Sequence, residues 1–203
     1  MALAAGHEAD CRRHPDPQPR HQTRSRSARP QLSRLALPPQ PVIPVNTPAD
    51  LQLPRPAWVA HTQLLLTTFA NLLGRELIDR TGTPLEQAAR LFQAPFVVVA
   101  ADASPDPLLT YGNQAALGLW EMDVDTLLST PARHTAEPVH RDERQRLLDR
   151  TRAQGYVDDY AGIRVSSSGK RFRIEAAIVW NLTDADGAYC GQAATFDRWV
   201  PLP

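Results

Sequence analysis

The run LLTYGNQAALGLWEMDVDTLLSTPARHTAEPVHRDER, residues 108–144, sets several element boundaries close together. Leu108 to Tyr111 reads as a short strand that stops at Gly112. Asn113 is a helix-capping residue, because its side-chain oxygen can accept an unpaired N–H of a first turn. The helix it opens should turn Ala116, Leu117 and Trp120 inward. Asp123 caps a second short helix over 124–129, and Thr130-Pro131 ends it. The loop 130–137 carries His134 and Glu137. Pro138 then fits the first position of a third helix that runs to Gly155 and includes His140. That helix is mostly charged, with Val139, Leu147, Leu148 and Thr151 as a narrow apolar face.

Upstream, Trp58, His61, Leu65, Phe69, Leu72 and Leu73 recur at spacings of three and four. The spacing predicts an amphipathic helix from just after Pro56 to about Arg80, with Gly82 past its end. Thr83-Pro84-Leu85-Glu86 starts another helix, with Thr83 as cap, Pro84 at the first position and Glu86 closing a capping box. FVVVAA, residues 96–101, reads as a buried strand. The turn at 102–107 pairs it with the strand at 108–111.

Downstream, three antiparallel strands are predicted. Val157, Ala161, Ile163 and Val165 alternate with polar residues, and Ser168-Gly169 makes a turn. Phe172, Ile174, Ala176, Ile178 and Trp180 then form one face against Arg171, Arg173 and Glu175, the strongest period-two signal in the chain. After a turn at Asp184–Gly187, AYCGQAATFDRW closes the sheet, with Trp199 near its edge. The element order predicts an α+β domain: a five-stranded antiparallel sheet with helices on one face (96–199), preceded by N-terminal helices (58–93). Sheet and helices should enclose a core and, in a domain of this shape, a ligand cavity.

The formal net charge of zero hides an asymmetry. Residues 1–57 hold eight Arg against four acids, and eleven of the nineteen prolines. With no hydrophobic periodicity, they read as a disordered Pro/Arg-rich tail. Eight scattered Arg define no patch, so nucleic acid is not an expected partner. The two cysteines, Cys11 and Cys190, make no metal signature and read as free thiols. No apolar run approaches the length of a membrane span, and the first residues lack a secretory core, so a cytoplasmic protein is expected. Neither a Gly-x-Ser-x-Gly elbow nor a Gly-rich phosphate loop occurs, and Ser166–Ser168 reads as hairpin chemistry. An enzyme is therefore not expected.

The segment YGNQAALGLW resembles the Asn-x-Ala helix start that follows the second strand of PAS domains. The wider text (APFVVVA, YGNQAALGLWEMD, TPARHTAEPVHRDER, YAGIRVSSSGKRFRIE and GQAATF) resembles the MEKHLA-domain family, a PAS-like group, in its bacterial stand-alone type. The resemblance covers about residues 60–199. It implies a PAS-like fold and a non-enzymatic sensory or small-ligand-binding module. The related plant domain, at the end of homeodomain–leucine-zipper regulators, is thought to gate dimerisation. The alternative is an interaction module that forms a homodimer through the helix of residues 58–80 or through an exposed sheet face. The sequence contains no homeodomain, zipper or kinase, so the plant role does not transfer directly. It also lacks the Asn-Cys-Arg motif of photosensory flavin domains. A flavin photoadduct is not expected, and the cofactor is left unknown.

The candidate pocket residues are Tyr111, Asn113, Trp120, His134, Glu137, His140 and Trp180, facing a small apolar or aromatic ligand. Tyr111 and Tyr160 can offer hydroxyls. Asn113 reads first as a cap, and Trp120 and Trp180 as core residues beside the cavity. His134, Glu137, His140 and Glu143 form a cluster of ligand-type side chains. They could hold zinc or iron in a small metal-dependent enzyme, and His140 could serve a haem. Their spacing matches no metal signature, and helix capping with Arg pairing explains them as well. Arg164, Arg171 and Arg173 read as an outer stripe in cross-strand pairs with Asp158, Asp159 and Glu175.

Overall fold

The computed structural model describes residues 55–137 and 141–203. The predicted tail, apart from its last three residues, lies outside the described residues, as do 138–140 and the side chains of residues 141, 143 and 144.

Helix α1 spans Trp58–Leu73 and buries Trp58, Thr62, Leu65, Leu66 and Phe69. It ends sooner than its apolar spacing predicts. Gly74 takes the left-handed conformation, and its N–H donates to Ala70 O at 2.9 Å. A glycine there closes the last turn without a Cβ penalty, which the periodicity of the neighbouring residues does not reveal. Residues 75–82 form a loop instead, held where Arg80 donates to Gln63 and Gln87 donates to Arg80 O and Gly82 O. Helix α2, Pro84–Phe92, has the predicted capping box: Glu86 N donates to Thr83 Oγ1, and Thr83 N donates to Glu86 Oε2.

Strands β1 (Val97–Asp102) and β2 (Leu109–Gly112) form an antiparallel pair, followed by α3 (Gln114–Trp120) and α4 (Val124–Leu128). Asp123 caps α4 by accepting from Thr126 N at 2.7 Å. A 3₁₀ turn at Ala132–Thr135 leads towards α5, Arg141–Gln154. Strands β3 (Tyr156–Val165), β4 (Arg171–Thr183) and β5 (Tyr189–Phe196) complete a sheet of order β2-β1-β5-β4-β3, antiparallel throughout. A further strand, β6 (Arg198–Leu202), follows β5 and pairs with the first half of β4. The predicted α+β architecture is present, with the PAS-like order of two strands, a helical segment and three strands. The helices α3–α5 lie on one face, and α1 and α2 cover part of the other.

Two strand faces differ from the period-two reading. At Ala176 the backbone turns to φ +48° and the residue is exposed. A bulge of this kind swaps the alternation. Phe172 and Ile174 before it, and Ala177 and Val179 after it, therefore face α3–α5. Trp180 and Leu182 face α1 and α2 instead. β3 is also irregular between Val157 and Tyr160. Past that point Tyr160, Gly162 and Arg164 pair with Ala177, Ile174 and Phe172 on the helix-covered face, while Ala161, Ile163 and Val165 turn outward, half-buried.

The seam between α1 and β2 holds buried polar groups. Trp58 Nε1 donates to Thr110 O at 3.1 Å, and Tyr111 packs against the rings of Trp58 (4.8 Å) and His61 (5.9 Å). His61 Nε2 is buried without a hydrogen-bond partner among the described residues, and the buried Tyr111 hydroxyl has the Thr62 hydroxyl as its polar neighbour. Burial pushes the Tyr111 phenol up and holds His61 below its ordinary value. The unfolded chain therefore takes up a proton on His61 before the folded chain does. This contribution is neutral well above pH ~6.5 and turns against folding as the pH falls through that value. The wild-type urea midpoint is expected to drop between about pH 7 and about pH 5 by more than that of His61→Gln. Parallel curves for the two proteins would remove His61 as the cause.

Candidate functional site

A cavity of about 100 Å³ lies between the sheet and helices α3–α5. Its floor is formed by Val99 and Ala101 of β1, Ala194 and Phe196 of β5, and Ile174 and Val179 of β4. Trp120, Ala132, Thr135, Leu147 and Leu148 cover it, Tyr160 and Arg164 wall its β3 side, and Asp102, Tyr189 and Gln192 are among the other lining residues. The lining is apolar because β1, β4 and β5 present alanine and branched aliphatics here. The small side chains Ala101, Ala132 and Ala194 leave the space open.

The cover is fixed at several points. Gln192 Nε2 donates to Leu148 O at 3.0 Å, and Asn181 Nδ2 donates to Arg152 O at 3.2 Å, so sheet amides take up carbonyls of α5. These bonds give an otherwise charged helix an anchor beyond Leu147 and Leu148. At the end of α3, Glu121 adopts φ +56° and draws in the β3–β4 turn. Ser166 Oγ donates to its carboxylate at 2.7 Å, as do Ser168 and Lys170, and Ser167 Oγ donates to its carbonyl at 2.8 Å. The Lys170 ammonium, followed by the Ser168 and Ser166 hydroxyls, holds the Glu121 carboxyl down at about 2. The serine turn therefore clamps α3 to the hairpin.

Trp120, Tyr160 and Arg164 are buried polar groups of the cavity wall, which also carries Asp102, Thr135, Tyr189 and Gln192. Trp120 is 3 % exposed, packs edge-on against Phe172 (5.7 Å) and Phe196 (6.1 Å), and its indole N–H has no acceptor among the described residues. Arg164 is 7 % exposed. Its guanidinium donates to Tyr160 Oη at 2.9 Å and to Ile163 O at 2.8 Å, and stacks over the Tyr160 ring with Cζ 5.2 Å from the centroid. Gly162 makes this arrangement possible, since a Cβ there would stand 2.1 Å from Tyr160 Oη. The outer stripe predicted for Arg164 is therefore corrected: the bulged strands bring it inward, while Arg173 is exposed.

Of the candidate pocket residues, Trp120 lines this cavity. Tyr111 and Trp180 lie in the core on the opposite face. Asn113 is fully buried at the start of α3, where it accepts from Ala116 N as the predicted cap. His134 is exposed, and Glu137 pairs with Arg171 at 2.8 Å. His140 and the side chain of Glu143 lie outside the described residues. Among the described residues, no three His, Cys, Asp or Glu side chains gather as metal ligands. Arg164, Gly162 and Gln192 were not among the candidates. The signal that could have found the first two is the polar residue and glycine alternating through Tyr160, Gly162 and Arg164.

The residues do not fit a flavin. About 100 Å³ is below the range of roughly 300–1,000 Å³ typical of pockets for larger ligands. The described cysteine, Cys190, packs with the α1 side of the sheet. No helix among the described residues is long and apolar enough to cross a membrane.

Among solved structures, the PAS domain of a protein from Colwellia psychrerythraea is similar, at 14% identity and a TM-score of 0.48. The match covers 59% of this chain and 98% of that one. An RNA-binding light-oxygen-voltage receptor matches at 19% identity and a TM-score of 0.47, over 59% of this chain and 33% of its own. A light-oxygen-voltage domain studied with a flavin analogue matches at 17% and 0.42, over 62% and 89%. No curated protein matches. The family model for the MEKHLA domain matches residues 59–201, from the second residue of α1 to within β6, and so takes in every element that walls the cavity. The chain belongs to the MEKHLA-domain family.

Proposed function

We propose that the protein is a non-enzymatic sensory module that binds a small molecule in the cavity between the sheet and α3–α5. The observation that carries this reading is the cavity itself: apolar floor and cover, with buried hydrogen-bonding groups in its wall. An engineered cavity of about 150 Å³ takes up one benzene, so this one suits a ligand of similar or smaller size. Binding would reach the surface through Trp120, whose neighbour Glu121 holds the β3–β4 turn.

Backbone-amide NMR on the full chain, titrated with benzene, isobutyramide and isobutyrate, tests the proposal. Saturable shifts are expected at cavity residues for at least one probe. Ala194→Leu, which extends a side chain into the cavity, is expected to abolish them. Wild-type protein whose cavity residues respond to none of the three would overturn the reading.

A second reading, a homodimer, is favoured by the outer sheet face. Ile163, Arg173 and Val200 lie side by side across β3, β4 and β6, and Val200 is 49 % exposed. The apolar side of α1 is buried against the chain's own sheet, so this reading rests on the outer face.

A further inference from the structure

We infer that the cavity ligand is a small monocarboxylate held by Arg164; this rests on the ligand-binding reading above. A buried guanidinium is strongly disfavoured unless a counter-charge or several acceptors repay its lost hydration. Arg164 is nearly buried, yet its recorded acceptors are both neutral, a phenol oxygen and a main-chain carbonyl. Among the described residues, no carboxylate lies within ion-pair distance of it. Among the described acids, Glu121 pairs with Lys170 and the serine turn, Glu137 with Arg171, and Asp159 with Arg150. Asp102, which also lines the cavity, is engaged by Ser104 and by Leu108 N.

The other polar groups of the wall point to the same class. The Trp120 indole can only donate, and among the described residues it has no acceptor. The Tyr160 hydroxyl already accepts from Arg164, which leaves its own hydrogen to give. One fixed positive charge and two neutral donors match a planar monoanion, which accepts through two oxygens. A phosphate would bring about twice the charge to a wall with a single cation. The volume restricts the rest of the molecule to a short apolar body against Val99, Ala194 and Phe196.

The pattern of β3 supports a selected site. Its apolar residues Ala161, Ile163 and Val165 face outward, while Tyr160, Gly162 and Arg164 face the core. That arrangement works against burial, and such inversions are found where function, rather than stability, sets the residue.

The test compares isobutyrate with its neutral isostere isobutyramide on the wild-type chain, by the same NMR titration. Isobutyrate is expected to bind at least about tenfold more tightly, as charge-assisted hydrogen bonds require. In Arg164→Gln that preference should vanish, and in Trp120→Phe both ligands should weaken. If isobutyramide or benzene fills the cavity as tightly as isobutyrate, the carboxylate assignment falls while the cavity reading stands. If no probe moves the cavity residues, both fall. Should Arg164→Gln fail to fold, the wild-type preference decides alone: about tenfold supports the assignment, and parity overturns it.

Discussion

Asn113→Asp is expected to destabilise the domain at least as much as Asn113→Ala, by about 3–5 kcal/mol in each case. As a helix cap alone, Asp should serve as well as Asn. The side chain does more. Its Oδ1 accepts from Ala116 N at 3.1 Å and also from Val98 N at 3.0 Å. Its Nδ2 faces three carbonyls, Phe96 O at 2.7 Å, Ala94 O at 3.3 Å and Leu91 O at 3.4 Å. One fully buried amide thus joins the end of α2, the start of β1 and the start of α3. Alanine leaves two buried N–H groups without acceptors. Aspartate keeps those two bonds but sets a carboxylate oxygen against carbonyls in a dry site, where it must protonate or repel them. Thermal unfolding should drop by roughly 10–15 °C for both variants. An Asp variant with wild-type stability would reduce Asn113 to a cap.

The helix starts are legible in the sequence because caps act locally. Thr83 with Glu86, Asn113 with Ala116, and Asp123 with Thr126 each satisfy a donor within three residues. What lies further away is not legible. The carbonyls facing Asn113 Nδ2 come from 17 to 22 residues upstream. The serine turn looks like ordinary hairpin chemistry until the fold brings Glu121 to it from 45 residues away. Strand faces fail for a different reason. A period-two pattern assumes an unbroken pleat, and a single residue in the wrong conformation, Ala176, reverses every face after it. No residue type near Ala176 announces the bulge, since alanine rarely takes a positive φ.

The same reversal explains the candidate site. Reading polar residues as outward places Arg164 on the surface and Trp180 in the pocket, and both are inverted. Trp120 keeps its predicted place because its helix carries no such irregularity. The helical half of the cavity is therefore readable from local text, and the sheet half is not. The cavity owes its polar wall to the sheet half.

Trp180→Ala is expected to cost about 3–5 kcal/mol, and Trp180→Phe about 1–2 kcal/mol, with no change in cavity binding for the Phe variant. Trp180 is fully buried, packs edge-on against Phe69 at 5.1 Å, and donates from Nε1 to Thr68 Oγ1 at 3.1 Å. The Thr68 hydroxyl donates its own hydrogen bond to Leu64 O, so the chain of bonds ties β4 to a carbonyl within α1. Alanine empties this contact and leaves Thr68 short of a donor. Phenylalanine keeps most of the packing and loses the hydrogen bond. Urea denaturation measures both losses, and the slope should be unchanged if only native contacts are removed. Trp120→Phe supplies the contrast from the other face, because it should weaken isobutyrate where Trp180→Phe leaves it alone. Equal weakening by the two Phe variants would mean that the sheet transmits between its faces and that the cavity is not confined to the α3–α5 side.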